Sequence, residues 1–159
     1  DCFKTTKKKI KEYFKKEITV ADVGSGNGIP GLIWAISNKQ FKIILIEKVT
    51  KKVAFLNYAI GELDLNHRVT TINDDVKNIK SKQFDIITSR AYTDCVNFLM
   101  STKIISKKDS SWMIMTTLSR SSKLTADMLK KLKLNINKIT PVTVNNRKTN
   151  KQIIWLQYK

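Results

Sequence analysis

Ten consecutive residues, 22–31, have the sequence DVGSGNGIPG and combine an acid with four glycines. The first two of them end the run Ile18–Val23, which predicts a strand, and the last two begin an apolar pattern at residues 30–37 that predicts a helix. Glycines at a strand-to-helix turn let the backbone turn sharply and approach a bound nucleotide closely. The stretch therefore predicts a nucleotide-binding loop, and it is the most informative chemical signal in the chain.

Two classes of cofactor fit a glycine loop of this kind. Gly26, Gly28 and Gly31 satisfy the G-x-G-x-x-G fingerprint of NAD-binding folds, which is weak evidence alone. Asp22, however, ends the predicted strand where dinucleotide-binding folds keep an apolar residue, and the glycines already begin at Gly24. The resulting acid-x-G-x-G-x-G pattern resembles the first motif of S-adenosylmethionine-dependent methyltransferases. It favours S-adenosylmethionine over NAD.

Acidic residues also follow the next two predicted strands. Glu47 ends the strand predicted for residues 41–47, where a carboxylate can accept hydrogen bonds from both hydroxyls of a ribose. Asp74 and Asp75 follow the short strand predicted at Val69–Ile72, where methyltransferases of this class bind the edge of the adenine. These acids extend the predicted cofactor site. The alternative is a glycine turn accompanied by ordinary surface acids.

The histidine and cysteine content of the sequence gives little support for a metal site or a catalytic thiol. His67 is the only histidine, and Cys2 and Cys95 lie far apart without a CxxC spacing, which argues against a zinc site. Two unpaired thiols fit a reducing environment, and no apolar run approaches the roughly 20 residues needed to cross a bilayer. We therefore expect a cytoplasmic protein with no metal and no membrane partner, and a monomer.

The charge of the chain suggests a partner. It has 30 basic and 13 acidic residues among 159, a formal net charge of +17. So basic a domain points to a polyanion such as nucleic acid, or to an anionic membrane surface. Lysine accounts for 26 of the basic residues, so codon usage in an AT-rich genome explains part of the excess. We favour nucleic acid and keep open that the charge is incidental.

Strand patterns alternate with helical patterns along the chain, which is typical of βαβ units. Without repeats or linkers, residues 1–159 are expected to form one domain, with a basic helix in residues 1–17 and a catalytic core in residues 18–159. The last two strands should form an antiparallel hairpin around the turn-rich residues 145–150. Strands are predicted at 18–23, 41–47, 69–72, 84–88, 112–117, 136–144 and 152–157, and helices at 3–16, 30–37, 50–63, 95–105 and 125–132.

Several motifs, in order, resemble one family: the bacterial 16S rRNA guanine-N7 methyltransferases, also called glucose-inhibited division protein B. Residues 22–31 are similar to its D-h-G-[ST]-G-x-G-h-P-G motif, and residues 51–56, KKVAFL, to its K-[RK]-x-x-F-L. Residues 84–91, FDIITSRA, match its F-D-x-h-x-S-R-A. Residues 1–3, DCF, stand where the family has D-S-L, which implies an N-terminal truncation.

The resemblance implies an α/β, Rossmann-like class I S-adenosylmethionine methyltransferase fold. Its sheet should be mainly parallel and seven-stranded, with one antiparallel edge strand and helices on both faces. It also implies methylation of N7 of a guanine in 16S ribosomal RNA. Gly24 and Ile29 would contact the cofactor, Asp75 and Val76 would hold its adenine, and Arg90 would lie between cofactor and substrate. All expected cofactor-binding residues are Asp22, Gly24, Ser25, Gly26, Gly28, Ile29, Glu47, Asp74, Asp75, Val76 and Arg90.

Arg90 is the candidate catalytic residue. Guanine N7 carries a lone pair and no proton at neutral pH, so its methylation needs alignment rather than a general base. Because N7 must stay free to attack, Arg90 should bind guanine O6, a phosphate or the carboxylate of the cofactor. A plain surface ion pair is the alternative role for Arg90. Tyr92 could stack on a base or simply pack within the fold.

Four positions depart from the family pattern. Asp74, Thr116 and Lys151 stand where the family has Arg, Lys and Arg, and Val76 replaces a Glu. The main alternative is therefore a basic RNA-binding relative that keeps the cofactor pocket and has little or no turnover. An NAD-dependent enzyme and a methyltransferase acting on a small molecule are the further alternatives.

Overall fold

The computed structural model describes residues 17–90 and 92–159. The helix predicted at residues 3–16 lies outside these ranges, as does Ala91 of the S-R-A motif. The strands are β1 (Ile18–Val23), β2 (Phe41–Ile46), β3 (Val69–Ile72), β4 (Phe84–Arg90), β5 (Ser106–Thr117), β6 (Leu134–Val144) and β7 (Arg147–Tyr158). The helices are α1 (Gly31–Ser37), α2 (Thr50–Glu62), α3 (Cys95–Thr102), α4 (Leu118–Ser121) and α5 (Ala126–Leu132), with 3-10 turns at Val76–Asn78 and Lys103–Ile105.

The seven strands form one sheet in the order β3-β2-β1-β4-β5-β7-β6. Strands β1 to β5 are mutually parallel, whereas β7 is antiparallel to both β5 and β6. The mainly parallel seven-stranded sheet is thus confirmed, with a correction: the antiparallel strand lies one position in from the edge, and β6 is the edge strand. The burial explains this order, because Ile154 and Leu156 of β7 are buried while most of β6 is exposed.

The β6–β7 hairpin turns more tightly than predicted. Asn145 and Asn146, with φ of 49° and 61°, form a two-residue connection in the left-handed region. Two residues with positive φ suit the right-handed twist of a hairpin, and Asn tolerates this conformation better than most residues. Residues 147–150, predicted as part of the turn, therefore belong to β7.

Residues on successive positions of the strands point to opposite faces of the sheet, and each face carries its own core. Val20 of β1 packs in one cluster with Leu32 of α1 and Leu56 of α2. Its neighbour Ala21 belongs to the other cluster, together with Phe98 of α3. Helices therefore cover both faces of the sheet, as predicted. No helix in the two described ranges is long and apolar enough to span a bilayer.

Two short elements escaped prediction, and β5 is longer than expected. Helix α4 and the 3-10 turn at Val76–Asn78 each span only three or four residues, too few for a periodic pattern to appear. The first half of β5, Ser106 to Ser111, is polar and gives no strand signal. The helix predicted for residues 95–105 ends at Thr102 and continues as a 3-10 turn.

Candidate functional site

A cavity of about 1070 Å³ opens at the carboxyl ends of the parallel strands. This is the edge at which open α/β sheets bind ligands. Nine of the eleven predicted cofactor-binding residues line it: Gly24, Ser25, Gly26, Ile29, Glu47, Asp74, Asp75, Val76 and Arg90. Asp22 and Gly28 do not.

The glycine loop lies against the end of β2. The backbone N–H groups of Gly24 and Ser25 both donate to the carbonyl oxygen of Ile46, at 2.8 and 3.2 Å. Gly24 has a φ of 68°, and a Cβ atom there would lie 2.4 Å from Cδ2 of Tyr92. A side chain at position 24 would therefore need both a rare backbone conformation and a displaced tyrosine ring.

Gly26 is required for a different reason. Its φ is 56°, yet a Cβ atom there would meet only the Gly24 carbonyl oxygen, at 3.8 Å. The space beside Gly26 is thus open, and its N–H donates to Oε2 of Glu47 at 3.0 Å. The loop presents bare backbone to the cavity at this point, as close binding of a ligand requires.

Asp22 and Gly28 lie away from the cavity surface, and their contact with the cofactor stays a prediction. A Cβ atom at Gly28 would lie 2.3 Å from Cδ1 of Leu32, so this glycine permits α1 to pack against the loop. Asp22 is fully buried, and its Oδ2 accepts a hydrogen bond from the N–H of Gly31 at 2.9 Å. Both residues shape the loop from beneath.

The environment of Asp22 is unusual for a carboxyl group. Burial raises the pKa of Asp22 from 3.8 to about 7; the N–H of Gly31 and the Arg90 guanidinium oppose this rise, and the Glu47 carboxylate adds to it. Oδ1 of Asp22 is buried and has no hydrogen-bond partner among the described residues. A positive charge placed nearby would favour the ionised form of this carboxyl.

Glu47 is almost completely buried, with 5% of its surface exposed, and is held by backbone donors on both sides. Oε2 accepts from Gly26, and Oε1 accepts from the N–H of Val49 at 3.0 Å. A carboxylate oxygen has two lone pairs, so each oxygen can still accept one more hydrogen bond. Glu47 is therefore a fixed, double acceptor in the wall of the cavity.

The wall after β3 is built by Asp74, Asp75 and Val76. Oδ1 of Asp74 accepts from the N–H of Asp75 and from Nδ2 of Asn78, each at 2.7 Å. Oδ1 of Asp75 accepts from the N–H of Lys77 at 3.1 Å and so caps the 3-10 turn. Val76 is buried, and it contributes an apolar surface beside these polar groups.

Arg90 and Tyr92 form the wall after β4. Arg90, the last residue of β4, is exposed, and its side chain has no hydrogen bond or ion pair with another described residue. The surface ion pair considered for it therefore has no partner in these ranges. The ring of Tyr92 packs edge-on against Phe98, with 6.2 Å between centroids, and against Gly24. This observation supports the packing role for Tyr92 and fixes the ring at the cavity.

Sequence reasoning missed the contribution of α3. Asn97, Met100 and Ser101 of this helix line the cavity, as does Ile104 in the 3-10 turn that follows. Met100 and Ile104 are large apolar side chains that are about half exposed. Apolar residues on the outer face of this helix were the available signal in the sequence.

Comparison with known proteins identifies the family. The model of the GidB family, described as rRNA small subunit methyltransferase G, matches residues 7–154. The chain belongs to this family. Two relatives within it are named ribosomal RNA small subunit methyltransferase G. That of Aliarcobacter butzleri (strain RM4018) is 42% identical over 101 residues, covering 64% of this chain and 52% of the relative. That of Dichelobacter nodosus (strain VCS1703A) is 37% identical over 98 residues, covering 61% of this chain and 46% of the relative.

Solved structures share the fold at low sequence identity. The B. subtilis M1A22 tRNA methyltransferase TrmK superposes with a TM-score of 0.71 at 14% identity, over 96% of this chain and 64% of that one. The ribosomal protein L11 methylase from Lactobacillus delbrueckii subsp. bulgaricus gives a TM-score of 0.72 at 16% identity, over 94% and 74%. The Rossmann-like class I methyltransferase fold is thereby confirmed. The chain spans about half the length of the curated GidB relatives it matches.

Proposed function

We propose that this GidB-family chain is an S-adenosylmethionine-dependent methyltransferase that transfers a methyl group to N7 of a guanine in 16S ribosomal RNA. The observation that carries the proposal is the pairing of the bare glycine loop with Glu47 in one cavity wall. The partner is ribosomal RNA, free or in a small-subunit particle, and the protein acts as a cytoplasmic monomer. Among the described residues, no cluster of His, Cys, Asp or Glu could hold a metal ion.

The cavity residues fit the parts of S-adenosylmethionine. Glu47 offers two free acceptor positions, which suit the two hydroxyls of a ribose. Asp75 with the apolar Val76 suits the polar edge and the flat face of an adenine. Gly24 and Gly26 leave bare backbone for the methionine part, and the carboxylates of the wall complement the positive charge of the sulfonium.

When bound, the cofactor would supply a methyl group already activated by the positive sulfur. The chain then has to hold the guanine so that its N7 lone pair lies in line with that methyl group. Arg90 extends from the end of β4 into the cavity without a described partner, so its donors are free for guanine O6 or for an anion. Tyr92, fixed between Gly24 and Phe98, limits where a base can enter.

One observation favours the alternative of low turnover. Thr116 stands where the resemblance implies a lysine, and it is buried, with the Cys95 thiol donating to its Oγ1 at 3.6 Å. Burial also raises the pKa of Cys95, so both side chains stay neutral. This position therefore supplies no cation for RNA. A relative that binds the cofactor and transfers methyl groups slowly is the second candidate.

The first test is calorimetric titration of S-adenosylhomocysteine, with NADH as the comparison ligand. Micromolar binding of S-adenosylhomocysteine, about −8 kcal/mol, with no binding of NADH, would support S-adenosylmethionine as the cofactor. Binding of NADH alone would overturn it. The second test follows methyl transfer from labelled cofactor to small-subunit RNA, with chemical cleavage at N7-methylguanine to locate the product. Cofactor binding without transfer would favour the slow relative, and light scattering would check the monomer.

A further inference from the structure

Positively and negatively charged side chains are distributed unequally along the carboxyl edge of the sheet. Near β2 and β3, the carboxylates of Glu47, Asp74 and Asp75 alternate with the lysines that also line the cavity. From β5 onward the balance differs: residues 106–159 contain twelve basic residues and two acids, Asp109 and Asp127. Cations therefore dominate the half of the molecule formed by β5, β7 and β6.

The β6–β7 hairpin carries part of this charge past the end of the sheet. Because β6 is parallel to β1 to β5, its carboxyl end lies at the same edge as the cavity. Pairing of β5 with β7 ends at Thr117 and Lys151, so Arg147 to Asn150 extend beyond β5. Arg90 pairs with Met115, and Met115 pairs with Ile153, which follows Arg147 at the tip by six residues. The tip thus lies on the order of 20 Å beyond Arg90 along the strand direction.

Five exposed cations lie along this part of the edge, and we call them the basic rim. They are Arg120, Lys123, Arg147, Lys148 and Lys151. Nε2 of Gln152 donates to Oγ of Ser121 at 2.7 Å, which ties α4 to β7 and joins the two halves of the rim. Helix α4, which carries Arg120, contacts α3, and α3 lines the cavity, so this end of the rim lies beside the cavity.

We infer that the basic rim is the surface on which RNA docks, and that Arg147 and Lys148 at the hairpin tip bind phosphates remote from the methylated base. This inference rests on the proposed function and adds the surface and direction of approach. The hairpin, residues 134–159, contains no acid, so nothing on it repels a phosphate chain. The opposite half of the edge carries the carboxylates of the cavity wall, which disfavour a polyanion.

Phosphate contacts make binding depend on salt in a countable way. Each phosphate neutralised by Lys or Arg contributes about 0.7 to 0.9 to the slope of log affinity against log salt concentration. Loss of two such contacts should lower the slope by roughly 1.5 and weaken RNA binding by about tenfold or more at moderate salt. Contacts to phosphates position an RNA and do not select its sequence, so the loss should be similar for different rRNA fragments.

The test compares three double variants with the unmodified chain, using transcribed 16S rRNA as the probe across a salt series. Arg147→Gln with Lys148→Gln removes the tip charges, and Arg147→Lys with Lys148→Arg keeps them. Lys39→Gln with Lys108→Gln is the matched control, because both lysines are exposed at the amino ends of β2 and β5, away from the cavity. Titration of S-adenosylhomocysteine and thermal unfolding are measured for each protein.

The inference predicts a reduced salt slope and weaker RNA binding for the neutral tip variant alone, with its affinity for S-adenosylhomocysteine unchanged. Equal losses of RNA affinity and salt slope in the control pair would overturn it, because exposed lysines away from the rim would then contribute as much to RNA binding. It is also overturned if the neutral tip variant binds and methylates RNA like the unmodified chain, an outcome that leaves the proposed function intact. If the unmodified chain neither binds nor methylates the RNA, the proposed function fails first, and the inference fails with it.

Discussion

The backbone N–H of Gly26 donates to Oε2 of Glu47 at 3.0 Å, so the loop after β1 is held by the acid that directly follows β2. The other oxygen of Glu47 accepts from Val49 at the start of α2. One buried carboxylate therefore sets the positions of two segments that line the cavity. Each of its oxygens keeps one lone pair for a further hydrogen-bond donor.

Replacing Glu47 with Gln should weaken cofactor binding strongly while preserving the shape of the side chain. The amide offers one oxygen where the carboxylate offers two, and its NH₂ group must face either Gly26 or Val49, which are both donors. Loss of a hydrogen bond to a charged acceptor costs about 1.5–3 kcal/mol, or roughly ten- to a hundredfold in affinity for S-adenosylhomocysteine. Calorimetric titration measures this change.

Glu62→Gln is the matched control for that experiment, because Glu62 is an exposed acid at the end of α2 and does not line the cavity. Its affinity should equal that of the unmodified chain. If Glu47→Gln also binds normally, Glu47 serves only to hold the loop and another residue must bind the ribose.

Gly24→Ala should disturb both the loop and Tyr92. The added Cβ atom would lie 2.4 Å from the tyrosine ring, at a φ of 68° that alanine rarely adopts. Strain and overpacking of this kind each cost about 1–3 kcal/mol, so the free energy of unfolding should fall by that order. S-adenosylhomocysteine should bind at least tenfold more weakly, because the loop and the ring both line the cavity.

Gly61→Ala should have the opposite effect on the free energy of unfolding. A Cβ atom at this position in α2 meets nothing within 4 Å. Alanine in a helix is more stable than glycine by about 0.5–1 kcal/mol, so this variant should unfold at a higher denaturant concentration. If Gly24→Ala behaves like Gly61→Ala in urea unfolding, the close approach of Tyr92 to the loop is not maintained in solution.

The sequence predicted those parts of the site that depend on local patterns. The glycine loop and Glu47 were recognisable because a strand, a turn and an acid follow one another along the chain. The position of β7 between β5 and β6 could not be recognised from the sequence, because the order of strands depends on pairing between residues far apart in the chain. The burial of Asp22 beneath the loop was not predicted from the motif either, because burial is a tertiary property.

Arg90→Gln should impair methyl transfer more than it impairs folding. Arg90 is exposed and has no described hydrogen-bond partner, so its removal should change the free energy of unfolding by less than about 0.5 kcal/mol. Loss of a donor that orients the guanine should lower kcat/KM for methylation of rRNA by about 10²-fold. Arg90→Lys should recover part of the rate, since it restores the charge without the planar pair of donors.

Binding of S-adenosylhomocysteine distinguishes the roles open to Arg90. Unchanged affinity in Arg90→Gln, with slow transfer, would indicate that the guanidinium binds the RNA. A parallel loss of affinity would assign it to the carboxylate of the cofactor. Normal transfer by Arg90→Gln would remove it from the reaction altogether. Lys39→Gln, far from the cavity, is the control for the loss of one positive charge.

Asp22 should make the stability of the protein depend on pH in a direction opposite to that of most acids. Its pKa is about 7 in the folded protein because of burial, against an ordinary value of 3.8. Between these values the folded protein holds a proton that the unfolded chain has lost, so the free energy of unfolding falls as the pH rises from about 4 to about 7. The full difference is about 4 kcal/mol, and it stays constant above pH 7.

Asp22→Asn removes this titration and keeps an oxygen that can accept from Gly31. The stability of the variant relative to the unmodified chain should therefore rise across that pH window in urea unfolding. Asp94→Asn is the contrasting control: hydrogen bonds from Asn97 lower the pKa of Asp94, so its charge stabilises the folded protein above pH 4 and its removal acts in the opposite sense. A relative stability of Asp22→Asn that does not change with pH would mean that the pKa of Asp22 is not raised in the folded protein.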